Sequence, residues 1–136
     1  MNAINANAKV LFTAKTHNTT GRDGGAVSSD GFLNVKMAQP HPAAENLFGA
    51  AWSACFMGAL QLAASQEKIV LPALPEVDAE IDLMNVAGSF YLRARLNVAL
   101  PGLDPAIAQE LIETADEICP YSKAVRGNID VTITLQ

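Results

Sequence analysis

Apolar side chains recur at every second position along much of the chain, a pattern typical of strands that bury one face. Glycine-rich turn signals at 21–25 and 29–31 separate the first three predicted strands, which indicates a β-meander. A hairpin with its turn near residues 85–89 follows later in the chain. The predicted strands are Val10–Thr16, Ala26–Ser29, Phe32–Met37, Val77–Leu83, Phe90–Leu100 and Ile129–Leu135.

Between the meander and the hairpin, a long segment from Ala43 to Glu67 is apolar on nearly every side. Pro42 stands just before it, which suits a helix start. The segment is interrupted by Ser53 and Gln61 and is rich in alanine and glycine, whereas membrane-spanning helices are richer in leucine, isoleucine and valine. The pattern therefore predicts a helix buried in protein on nearly every side, and one small domain has difficulty enclosing it without a second subunit.

A second helix is predicted from Asp104–Pro105, which place an N-cap aspartate before a proline at the first helical position. Pro120 is predicted to end this helix. The order is βββ–α–ββ–α–β, which predicts an α+β fold with mostly antiparallel strands in a single domain over residues 1–136. Its predicted buried face consists of Ala108, Leu111, Ile112, Ala115 and Cys119.

The composition is typical of an ordered domain with a sizeable core, and it argues against one class of partner. Half of the 136 residues are hydrophobic, 17% are charged, and the net charge is −5. That balance argues against nucleic acid as a partner. The polar N-terminus lacks the pattern of a signal peptide, so we expect a cytoplasmic protein, in which a purely structural disulfide is unusual.

The two cysteines, Cys55 and Cys119, carry the candidate chemistry, and the residues alone leave several roles open. Buried cysteines are often inert. Small neighbours around Cys55 leave room for a reactant, however, and Cys119 ends a helix at an edge. A metal site that adds His17 and His41 is disfavoured because no ligand pair has the short spacing of zinc sites.

A reactive thiolate needs a nearby cation to lower its pKa. Arg22 in the glycine-rich turn is the best candidate, and Arg126 is its rival. Glu45 opens the long helix ten residues before Cys55, about 15 Å away along a straight helix. Glu45 therefore cannot touch the Cys55 of its own straight helix, and a role at the site needs a bend, a bridging arginine or a second subunit.

Several segments together resemble the organic hydroperoxide resistance (Ohr) branch of the OsmC/Ohr family. The segments lie in family order and span nearly the whole chain, and those around the two cysteines are specific to this branch. Residues 37–44 form a shorter stretch than is usual in the family. The matching segments are Leu11–Ala14, Gly21–Gly24, Ser29–Gly31, Glu45–Phe56, Leu100–Leu103, Cys119–Ser122 and Arg126–Val131.

The resemblance implies a thiol-dependent peroxidase for lipid-like hydroperoxides. Cys55 corresponds to the peroxidatic thiol, Cys119 to the resolving thiol, and Arg22 and Glu45 to the activating pair. It further implies an intertwined homodimer with its sites at the subunit interface, no bound cofactor, and an external dithiol reductant, in similar proteins a lipoylated partner. The alternative is a non-catalytic dimeric binding module with inert thiols. Candidate pocket residues are Leu47, Phe48, Trp52 and Phe56.

Overall fold

The computed structural model describes residues 8–37 and 43–136. The chain divides between residues 44 and 45 into two compact units. The assignment of all 136 residues to one domain stays a prediction. The segment 38–42, with the proline break predicted before the long helix, lies outside the described residues, as do residues 1–7.

The first unit is a three-stranded antiparallel meander, as the turn signals predict. Its strands are β1 (Thr16–Thr19), β2 (Gly25–Ser28) and β3 (Asn34–Lys36), paired in that order. A short 3₁₀ turn at Gly21–Asp23 joins β1 to β2 and carries Arg22. The turns therefore organise this unit, because each reverses the chain between neighbouring strands.

The predicted first strand over Val10–Thr16 is wrong, since the ladder begins only at Thr16. Residues 8–15 belong to no strand, and the side chains of Leu11 and Phe12 are 84% and 83% exposed. Alternation alone does not make a strand, because the backbone also needs a hydrogen-bonded neighbour. In the described part of the chain no ladder pairs with this segment.

Helix α1 (Ala43–Gln66) ends within one residue of the prediction. It is the one helix among the described residues that is long and apolar enough to cross a membrane, but 44% of its most apolar stretch is buried in the protein. Trp52, Phe56 and Leu60 contribute their full side chains to the core. One side stays exposed at residues such as Ala54 and Gly58, so the near-complete burial predicted for α1 is not reached within one chain.

The second sheet provides the surface against which α1 packs. Its strands are β4 (Glu76–Val86), β5 (Ser89–Ala99) and β6 (Asp130–Leu135), in that order. β4 and β5 form the predicted antiparallel hairpin through a two-residue turn at Ala87–Gly88, where both residues have positive φ, as in a type I′ turn. β6 lies parallel to β5 because helices connect the two strands, so the sheet is mixed.

Helix α2 (Pro105–Ile118) has the predicted cap and the predicted buried face. The Asp104 carboxylate accepts hydrogen bonds from the backbone N–H groups of Ala106 and Ile107. The prediction that Pro120 ends this helix is confirmed, but a further helix that was not predicted, α3 (Pro120–Val125), begins at that proline. Proline suits a first helical position, so it terminates α2 and starts α3. The order is therefore βββ–α–ββ–α–α–β.

We expect Asp104→Ala to lower the free energy of unfolding by about 1 kcal/mol, since two backbone N–H groups lose their acceptor. Urea unfolding followed by circular dichroism measures the change. Glu110→Ala, at an exposed position on the same helix, serves as the control and should change stability by less than about 0.5 kcal/mol. Equal stability of the Asp104 variant and the parent protein would contradict the capping role.

Candidate active site

The structure brings the two cysteines together. Cys55 lies half-buried in the middle of α1, and Cys119 lies completely buried between α2 and α3. Both are free thiols, and their sulfurs lie 3.3 Å apart, within hydrogen-bonding distance. A disulfide requires the sulfurs to approach to about 2 Å. A shift of little more than an ångström therefore separates this dithiol from a disulfide.

The local folding of α2 and α3 explains the position of Cys119. Its side chain continues the buried face of α2 after Ala115, as the helical spacing predicts, and its backbone N–H still bonds to the Ala115 carbonyl. Pro120 then starts α3, and the Cys119 carbonyl accepts from the Lys123 N–H. Backbone hydrogen bonds on both sides thus fix Cys119 at the junction of two helices.

The environment of Cys55 raises the pKa of its thiol above that of an ordinary cysteine, which favours the protonated form. Burial raises the pKa of the Cys55 thiol, and the hydrogen bond and charge of Cys119 raise it further. A backbone hydrogen bond from Tyr121, in the first turn of α3, acts in the opposite direction. Reactivity at neutral pH therefore calls for a further cation, since the thiolate is the nucleophile.

A buried hydrogen bond joins α1, which carries Cys55, to α3, which begins directly after Cys119. The Trp52 indole Nε1–H, on α1, donates to the Ser122 hydroxyl, on α3, at 3.1 Å. The side chain of Trp52 is fully buried, and Ser122 is 2% exposed. Ser122 is not among the site residues predicted from the sequence. The only sequence feature that points to it is its place in the Cys119–Ser122 segment, which resembles the family.

The four candidate pocket residues occupy one stretch of α1. Leu47 and Phe48 are half-buried, whereas Trp52 and Phe56 are fully buried core residues. The rings of Phe48 and Trp52 meet edge to face, with centroids 5.8 Å apart and planes at 77°. A role of these side chains in substrate binding stays a prediction.

The arginines differ in their surroundings. Arg126, the rival cation, pairs with the Asp116 carboxylate at 2.8 Å and bonds to the Asp116 carbonyl at 2.9 Å, so α2 holds its guanidinium. Arg93 and Arg95 both pair with Asp82, and they hold the pKa of its carboxyl far below the ordinary value.

The activating roles predicted for Arg22 and Glu45 stay predictions. Arg22 lies exposed in the 3₁₀ turn of the meander. Glu45 is only 7% exposed in the first turn of α1. Since α1 runs without a break from Glu45 past Cys55, the separation of about 15 Å along the helix stands.

The metal alternative gains no support in the part of the chain that the structure describes. His17 is exposed on β1, and residues 8–37 and 43–136 contain no group of three histidine, cysteine or acidic side chains placed to hold a metal ion. His41 lies outside the described residues.

Comparison with known proteins gives a consistent result. The family model described as "OsmC-like protein" matches residues 37–134. An organic hydroperoxide resistance protein of Xanthomonas axonopodis pv. citri (strain 306) is 42% identical over 136 aligned residues, which cover 93% of this chain and 96% of the relative.

Solved structures agree with the sequence comparison. The organic hydroperoxide resistance protein OhrB of Bacillus subtilis superposes with a TM-score of 0.85 at 39% identity, and the match covers 93% of this chain and all of the other. An organic hydroperoxide resistance protein from Elizabethkingia anophelis gives a TM-score of 0.87 at 35% identity over 95% of this chain and 99% of the other. The α+β fold with a long central helix is thus that of these proteins.

Proposed function

This chain belongs to the OsmC-like protein family, in its organic hydroperoxide resistance (Ohr) branch, and we propose that it is a cytoplasmic thiol-dependent peroxidase. Its substrates are organic, lipid-like hydroperoxides, which it reduces to alcohols. One observation carries the proposal: Cys55 and Cys119, 64 residues apart, have their sulfurs 3.3 Å apart as free thiols. This proximity favours a redox dithiol over a binding module with inert thiols.

The first step of the proposed reaction is the attack of the Cys55 thiolate on the O–O bond of the hydroperoxide. The sulfur forms a bond to one oxygen and becomes a sulfenic acid, the O–O bond breaks, and the alkoxide leaves as an alcohol after taking a proton. Cys55 is the suitable attacking thiol because its sulfur is half-buried, whereas Cys119 is fully buried.

The second step is the attack of Cys119 on the Cys55 sulfenic acid. A disulfide forms, and the oxygen leaves as water. An external dithiol then reduces the disulfide by thiol–disulfide exchange, and we propose a lipoyl-type dithiol for this role. A dithiol suits the step because, once its first thiol has formed a mixed disulfide with the protein, its second thiol attacks that bond, closes a cyclic disulfide and releases the protein cysteine as a thiol.

We propose that Arg22 supplies the cation that lowers the pKa of Cys55 in the working enzyme and that Glu45 orients the guanidinium by a charge-assisted pair. The raised pKa of Cys55 supports the need for such a cation. We propose a homodimer in which a second subunit covers the exposed side of α1. Leu47, Phe48, Trp52 and Phe56 are proposed to favour apolar hydroperoxides.

Steady-state turnover tests the function as a whole. With dihydrolipoamide as reductant, we expect rapid consumption of cumene hydroperoxide, slower consumption of hydrogen peroxide, and a lower rate when glutathione replaces the dithiol. Heat-unfolded protein provides the background. A rate with cumene hydroperoxide no greater than this background would refute the peroxidase function.

Arg22→Gln should make the reaction depend on pH. Because the pKa of Cys55 is raised, removal of the cation leaves mainly thiol at neutral pH, and the thiolate fraction falls about tenfold for each unit of pKa increase. The rate of cumene hydroperoxide reduction should be low near neutrality and should recover as the pH rises above the ordinary thiol pKa.

Arg93→Gln is the matched control, since Arg93 pairs with Asp82 on the outer face of the hairpin. Its pH profile should follow that of the parent protein. Identical profiles for the Arg22 variant and the parent would remove Arg22 from the mechanism while leaving the two thiols in place.

A further inference from the structure

We propose that Trp52 and Ser122 are positioning residues for disulfide formation, an inference that rests on the proposed peroxidase function. Their hydrogen bond fastens α3 to α1, and so holds the Cys119 thiol against Cys55. Neither residue reacts. They act through the position of the segment that carries the resolving thiol.

The step that they serve has a strict geometric requirement. The Cys119 sulfur forms a bond to the Cys55 sulfenic sulfur, the S–O bond breaks, and the hydroxyl leaves with the thiol proton as water, so that no outside oxidant is needed. The sulfurs must approach from 3.3 Å to about 2 Å. An approach of this size depends on how α1 and α3 are held to each other.

The hydrogen bond is placed next to both thiols. Trp52 lies three residues before Cys55 on α1, and Ser122 lies three residues after Cys119. Each partner is therefore about one helical turn from its cysteine. Fixing the Trp52–Ser122 pair consequently fixes the sulfurs and the Tyr121 N–H that bonds to Cys55.

The Trp52–Ser122 pair borders a cavity on one side. The cavity has a volume of about 470 Å³, and its lining includes Trp52, Ser122, Val125 and Ile129. Empty space next to a side chain means fewer contacts to restrain it. The hydrogen bond therefore adds a restraint between α1 and α3 on the side that faces the cavity.

Removing only one partner of this hydrogen bond is costly, because the other partner stays buried. Removing the Ser122 hydroxyl leaves the Trp52 N–H, fully buried, without its acceptor. Water from the cavity then has to replace the hydroxyl as the acceptor, and the direct link between α1 and α3 is lost. The expected consequence is a resolving thiol that meets the sulfenic acid less often.

The test is a single-turnover experiment on the reduced, full-length protein. One equivalent of cumene hydroperoxide is added in the presence of dimedone, which traps sulfenic acid, and intact mass gives the ratio of disulfide to trapped product. We expect Ser122→Ala to lower this ratio about tenfold or more, since misplacement by about 1 Å costs this much or more in rate. Ser122→Thr keeps the hydroxyl and should restore most of the ratio.

Asp104→Ala is the matched control because it also removes side-chain hydrogen bonds, but at the N-terminal end of α2, far along the helix from Cys119. Its ratio should equal that of the parent protein. Trp52→Phe should act like Ser122→Ala, and the double variant should be little worse than either one, because both remove the same bond. An unchanged ratio in Ser122→Ala, or a ratio lowered equally by Asp104→Ala, would overturn the positioning role.

A second measurement separates this inference from the proposed function. The balance of dithiol and disulfide in a dithiothreitol buffer requires no hydroperoxide, and we expect Ser122→Ala to shift it towards the dithiol by about tenfold, by the same loss of positioning. A shift without peroxide consumption by the parent protein supports the positioning role and removes the peroxidase function. Peroxide consumption by the parent protein, without a shift in Ser122→Ala, supports the peroxidase function and removes the positioning role.

Discussion

Cys55→Ser is expected to lower the rate of organic hydroperoxide consumption about a thousandfold or more, because the reaction loses its nucleophile. Serine at this half-buried position of α1 keeps the shape of the side chain but has a far higher pKa, so it forms no useful anion near neutral pH. The measurement is the consumption of cumene hydroperoxide with dihydrolipoamide in excess. Unchanged thermal unfolding of the variant shows that the loss concerns chemistry rather than folding.

Met57→Leu is the matched control for this prediction. Met57 carries another oxidisable sulfur on α1, two residues further along the chain, and is half-buried as well. Leucine conserves its volume, so turnover should stay near the parent value. Retained peroxide consumption in the Cys55 variant would show that another group reacts, and the mechanism proposed above would be wrong.

Cys119→Ser is expected to limit the enzyme to one turnover per chain. Cys55 still attacks the hydroperoxide, so a burst of one equivalent of alcohol appears, but no disulfide follows. The sulfenic acid of Cys55 then persists and moves towards the irreversible sulfinic and sulfonic acids when peroxide is in excess. Burst amplitude by quenched flow and intact mass after the burst together measure this outcome.

Cys119→Ala provides a second variant, because a hydroxyl at a completely buried position lowers stability on its own account. Both variants should give the same burst and the same persistent sulfenic acid. Steady turnover in both, at the parent rate, would mean that Cys119 does not resolve the intermediate and that the reductant attacks Cys55 directly.

Much of the fold follows from local rules in the sequence. Alternation gave the hairpin of β4 and β5 within a few residues, and the cap at Asp104 predicted the start of α2. The buried face of α2 predicted that Cys119 points inward, and it does so. These features depend on side chains that are near one another in the chain, so a single sequence contains enough information for them.

The features that depend on a neighbouring segment were less predictable. The strand predicted over Val10–Thr16 begins only at Thr16, since strand formation requires a pairing partner. Helix α3 was missed because Pro120 both ends one helix and starts another. For the site, each cysteine could be singled out from its surroundings, but not the 3.3 Å between them, nor the buried bond from Trp52 to Ser122.

Intact mass spectrometry tests most directly whether Cys55 and Cys119 form a redox pair. The fully reduced protein is treated with one equivalent of cumene hydroperoxide, and its mass and free thiols are measured before and after. We predict the rapid loss of both thiols, a mass lower by two hydrogen atoms, and one peptide pair, linked within a chain through Cys55 and Cys119. Two thiols that remain free and an unchanged mass would contradict this prediction.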